Sequence, residues 1–89
     1  MLELLKSRLP DGLEVSRVGS GARAWQLKVW FVYDGTEVLG YLPKSCAPGC
    51  EEHVCDMTIC SAMMKIGLER NDKEMVRVWN DRINNLVTE

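Results

Sequence analysis

What this 89-residue sequence lacks excludes most familiar functions before any motif is considered. Its longest apolar runs are four or five residues, far short of the roughly 20 needed to cross a bilayer, so no membrane span is expected. Charge of one sign is missing too. The formal net charge is -2 and the sequence pI about 5.4, which removes the general electrostatic attraction to nucleic acid or to an anionic membrane. Residues 1–45 hold six Lys/Arg against five Asp/Glu and residues 46–89 hold five against eight, an imbalance too small to define a partner. There is no internal repeat, no low-complexity tract and no linker rich in Pro, Gly or Ser, so one domain over 1–89 is expected. No Walker loop, dinucleotide fingerprint, nucleophile elbow or paired-carboxylate pattern is present, and neither an enzyme nor a cofactor is expected.

A secretory leader is not expected either. The leucines that open the chain are interleaved with Glu3 and Lys6, which a signal-peptide core would not tolerate. Four cysteines without such a leader point to a reducing compartment, free thiols and a cytoplasmic location.

What is present is the pattern of an antiparallel sheet. Asp34-Gly35 is a strong hairpin signal, because a type I′ turn needs positive φ at both central residues. A two-residue loop there sets Phe31 opposite Val38, Val29 opposite Gly40 and Leu27 opposite Leu42. Gly19-Ser20-Gly21, read as a second loop, sets Val15 opposite Trp25 and Leu13 opposite Leu27. Both registers then agree on one apolar face containing Leu13, Val15, Trp25, Leu27, Val29, Phe31, Tyr33, Val38 and Leu42. Trp25 is accordingly expected in the core.

Leu2, Leu5 and Leu9 follow helical spacing before the Pro10-Asp11-Gly12 turn. After Pro43 closes the third strand, a loop leads through Pro48-Gly49 into a helix over about Cys50 to Glu69, with Glu51 and Glu52 at its positive end. Asn71 and Glu74 read as a capping box for a last helix, whose buried stripe is Val76, Trp79, Ile83 and Leu86. The fold class is therefore α+β: a three-stranded antiparallel meander with helices packed on it, in the order α-β-β-β-α-α. The middle helix is apolar on two sides. Cys55, Ile59, Ala62, Met63 and Ile66 form one stripe and Met57, Cys60, Met64 and Leu68 another, as expected for a helix held between the sheet and the last helix. Part of the methionine-rich stripe is an alternative dimer or partner surface.

Three groups of residues are candidates for function. The outer sheet face carries Trp30, Leu39 and Tyr41, with Lys28 and Val32 at the margin and a Lys28–Tyr41 cation–π contact within reach. An aromatic cluster on a face that solvent should keep polar is typical of protein–protein anchors, unless a helix covers it. Arg17 falls opposite Arg23 in the expected register, which suggests an anion or an acidic partner beside that loop. Cys46, Cys50, His53, Cys55 and Cys60 fall within fifteen residues, but their spacing is not that of paired zinc knuckles. Cys60 lies about 15 Å along the helix from Cys50, so only Cys46, Cys50 and His53 could share an ion, without an evident fourth ligand. A Cys46–Cys50 disulfide under oxidising conditions is a further option.

The expectation is a small non-catalytic protein-binding module, an inhibitor or regulator of a larger protein or complex, in the manner of phage, plasmid or effector-type accessory proteins. Its partner is expected to be a protein, with a homodimer as one form. One alternative is a metal- or thiol-dependent protein using Cys46, Cys50 and His53. The other is a nucleic-acid-binding domain using Arg17, Arg23, Lys28 and Lys44 with Trp30 and Tyr41 stacking, which the acidic balance disfavours.

Overall fold

The computed structural model describes residues 1–88 and arranges them as α1 (Leu2–Ser7), β1 (Leu13–Ser20), β2 (Gln26–Tyr33), β3 (Thr36–Pro43), α2 (Glu51–Glu69) and α3 (Lys73–Thr88). This is the expected α+β order, with one antiparallel sheet in the order β1-β2-β3. Asp34 and Gly35 take φ of 47° and 81°, the positive values that a type I′ turn demands. The β2–β3 register follows from that turn and matches expectation at every pair, including Phe31 with Val38, Val29 with Gly40 and Leu27 with Leu42.

The first hairpin corrects the sequence reading. Leu13 pairs with Tyr33 and Val15 with Phe31, so the loop is not Gly19-Ser20-Gly21 but residues 22–25. Gly21 and Arg23 close it: the Gly21 amide donates to the Gln26 carbonyl and the Gln26 amide to the Arg23 carbonyl, each at 3.2 Å. The reason lies in the central strand. The shorter loop would have run β1 off into the Pro10-Asp11-Gly12 turn before it reached the far half of β2, leaving those backbone groups without partners. With the longer loop, β1 pairs with Leu27 through Tyr33. The displacement is an even number of residues, so Leu13 and Val15 still face the core. A bulge between Val15 and Arg17 then absorbs Ser16 and sends Arg17 to the outer face. Trp25 is displaced from the core into the loop, where it is 58% exposed.

α1 and α2 join the buried cluster on the inner face, and α3 packs on α2. Leu5, Leu13, Val29, Phe31, Leu42, Cys55, Ile59, Ala62, Met63 and Ile66 form the buried cluster that joins α1, the sheet and α2. The two-sided helix behaves as its pattern implied, because α2 packs on both β3 and α3, although Met57 of the second stripe borders Gly40 and Tyr41 of β3. In that second stripe Cys60 is buried, Met57 and Met64 are half-buried, and Leu68 remains 65% exposed. Arg8 ties the end of α1 to α2 by donating from Nε and Nη2 to the two Asp56 carboxylate oxygens, both at 2.7 Å.

The expected capping box is replaced by two different devices. Asn71, at φ 55°, terminates α2 in a Schellman arrangement, with the Asp72 amide donating to the Gly67 carbonyl at 2.8 Å and the Asn71 amide to the Leu68 carbonyl at 3.2 Å. Asp72 is the cap of α3, its Oδ1 accepting from the Met75 amide at 3.1 Å. The Glu74 carboxylate pairs with Arg77 instead of reaching back. Among the described residues no helix is long and apolar enough to cross a membrane.

Candidate functional site

The outer face of the sheet can be built row by row from the register. Glu14, Val32 and Glu37 lie side by side across the three strands; next come Arg17, Trp30 and Leu39; then Gly19, Lys28 and Tyr41. Strands are about 4.8 Å apart and same-face residues of one strand about 7 Å apart, so these side chains form one continuous surface. This face stands outside the buried cluster, and α2 reaches it only at the β3 edge, where Met57, Thr58, Ser61 and Lys65 border Tyr41. Trp30, Leu39, Lys28 and Val32 are half-buried by their neighbours on the sheet, and Tyr41 is 43% exposed.

Trp30 is not simply projecting into solvent. A Cβ placed on Gly19 would come 3.2 Å from Trp30 Cζ3, so the edge of the indole reaches over that glycine of the adjacent strand. The Arg17 guanidinium sits 4.1 Å from the ring centroid on the same face. Arg17 therefore belongs to the aromatic surface. The register expected from sequence sets it against Arg23, which instead lies apart in the 22–25 loop, because the bulge turns Arg17 toward Trp30. The Lys28–Tyr41 pair sits in register as expected, but among the described residues the cation–π contacts are Arg17–Trp30, Arg70–Tyr33 and Arg82–Trp79.

Charge divides this face in two. Glu14 and Glu37 flank Val32 at the hairpin end, while Arg17 and Lys28 flank Trp30 toward the other end. The β3 edge is blunted. Lys65 Nζ donates to the Leu39 carbonyl at 2.8 Å, and Pro43 at the strand's end has no N–H to offer. The bulge in β1 spoils the other edge as a template, so contact through the face is favoured over strand addition.

The cysteine cluster separates into two kinds. Cys55 and Cys60 are buried, and burial pushes both thiols above their ordinary pKa. Cys46 and Cys50 approach one another across the Pro48-Gly49 turn, which is closed by the Cys50 amide donating to the Ala47 carbonyl at 3.2 Å. The neighbouring Cys50 thiol is the main cause pushing Cys46 up to about 11, with desolvation second. That is the opposite of an activated nucleophile. Among the described residues no three His, Cys, Asp or Glu side chains gather around a point where an ion could sit, so His53 does not complete a site with Cys46 and Cys50. The four cysteines are free thiols.

Two surface features escaped sequence reasoning. Trp25 is an exposed aromatic where a core residue was expected, and the Arg17–Trp30 stack depends on a bulge that no residue pattern announces. No family model matches the chain, no curated protein matches it, and no solved structure matches it.

Proposed function

We propose that this chain is a small non-catalytic protein-binding module, acting as an inhibitor or regulator of a larger protein or complex, and that the outer sheet face is its contact surface. Trp30, Leu39 and Tyr41 are the apolar anchors, and Arg17 and Lys28 select a partner surface that is apolar at its centre and acidic at its border. A second copy of the chain is one form such a partner can take. The single observation that carries this reading is that Trp30, Leu39 and Tyr41 share a sheet face outside the buried cluster, with α2 bordering it only at the β3 edge. Aromatic side chains flanked by arginine are the composition from which binding hot spots are built.

The test compares captured partners. Tagged wild-type protein and the variants Trp30→Ala and Tyr41→Ala are used to recover proteins from native-host cells, with Lys73→Ala on α3 as a control, and light scattering measures self-association. Loss of one specific protein, or of the dimer, in both face variants but not in the control supports the reading. Trp30→Ala should weaken that association by about 2 kcal/mol or more. Undiminished capture by both variants overturns it. Salt-dependent retention of a single-stranded oligonucleotide that Trp30→Ala abolishes would replace it with nucleic-acid binding.

A further inference from the structure

We propose that the open cavity between α2, α3 and the Arg8 and Pro10 turn is a binding site for a small organic anion, a monocarboxylate with a compact apolar body. The cavity has a volume of about 360 Å³, within the size range of ligand pockets, and none of its lining residues belongs to the sheet. It is therefore separate from the proposed protein contact and stands independently of it.

The lining supplies the two halves of such a ligand. Ile59, Cys60, Trp79 and Leu86 make an apolar wall between α2 and α3. The charged groups at the mouth are Asp56, Arg8 and Arg82. Asp56 is already satisfied, with both carboxylate oxygens held at 2.7 Å by the Arg8 fork, so it is not free to receive a cation. Arg82 is different. Its guanidinium lies 4.2 Å from the Trp79 ring centroid, and among the described residues it has no carboxylate partner. Burial and the nearby Asp56 charge both hold the Cys60 thiol protonated, so it adds no negative charge to the cavity. Arg8 also lies 3.6 Å from Glu52, so two carboxylates take up its charge, and Arg82 is the lining cation left without a carboxylate partner among the described residues. A carboxylate can meet the Arg82 guanidinium at the mouth while its hydrocarbon body replaces water against Ile59, Trp79 and Leu86.

Nuclear magnetic resonance titration of the whole chain decides the matter. Phenylacetate and isovalerate serve as anionic probes, phenylacetamide as the neutral isostere and 2-phenylethylamine as the cation. The expected result is saturable shifts at the Cys60 and Leu86 amides and the Trp79 indole N–H, with phenylacetate binding about tenfold more tightly than phenylacetamide, as a charge-assisted hydrogen bond would give. Arg82→Gln should remove that preference without changing the unfolding temperature, because Arg82 is an exposed side chain. The proposal is overturned if neither anion gives saturable shifts at these residues, if acid and amide bind equally, if the amine binds best, or if Arg82→Gln keeps the preference.

Discussion

The two faces of the sheet use the same packing device to different ends. On the inner face the Phe31 ring lies over Gly40 of β3, so closely that an added Cβ would meet Phe31 Cε2 at 2.7 Å. On the outer face the Trp30 ring lies over Gly19 of β1, where an added Cβ would meet the ring at 3.2 Å. Each aromatic is seated against a glycine of a neighbouring strand, where the missing side chain lets the ring approach. What differs is the layer above. Phe31 is fully buried beneath α2, whereas Trp30 has only the Arg17 guanidinium over it. The ring seated under a helix serves stability, and the ring under the Arg17 guanidinium is the anchor of the contact surface proposed above.

That contrast can be broken by substitution. The largest effect belongs to Phe31→Ala, which removes a fully enclosed ring and leaves a cavity against α2; a loss of about 3–5 kcal/mol is expected by chemical denaturation. Gly40→Ala should cost about 1–3 kcal/mol in the same measurement, because the Phe31 ring is pinned by α2 and cannot yield to the new methyl group. Trp30→Ala should lower stability by only about 1 kcal/mol, the worth of a half-buried apolar side chain, with its main effect falling on association. Were it to cost as much as Phe31→Ala, the outer face would be a second core and not a contact surface. The smallest effect is at Gly19→Ala, within about 0.5 kcal/mol, since the Trp30 ring can tilt toward solvent; thermal unfolding of Gly19→Ala beside Gly40→Ala measures the asymmetry of the two faces directly.

Trp25 extends the same test to the loop. It has the side chain of a core residue but is 58% exposed, so Trp25→Ala should stay within about 0.5 kcal/mol of wild type. A loss of several kcal/mol would instead restore the short-loop register.

The legibility of this protein varies sharply from one hairpin to the other. Asp34-Gly35 admits one turn type, and a two-residue loop leaves no freedom in register, so everything from Leu27 to Leu42 follows from local chemistry. The Gly19-Ser20-Gly21 segment has no such constraint, because its glycines tolerate both a turn and an extended strand. Its register is set at a distance, by the need of β2 to pair along its second edge. The end of α2 shows the same limit on a smaller scale. Asn71 and Asp72 are both good helix-terminus residues, and which one caps α3 depends on how α2 stops.

The sequence by itself determined the α-β-β-β-α-α order, the second hairpin, the two-sided burial of α2 and the presence of aromatic residues on the outer face. These follow from turn chemistry and from side-chain periodicity, which act over a few residues. Only the tertiary structure decided the bulge at Ser16, the Arg17–Trp30 stack, the exposure of Trp25 and the cavity that joins Arg8, Asp56, Trp79 and Arg82. Each of these arises where segments distant along the chain compete for the same backbone partners or the same space, and that competition leaves no periodic trace in the residues themselves.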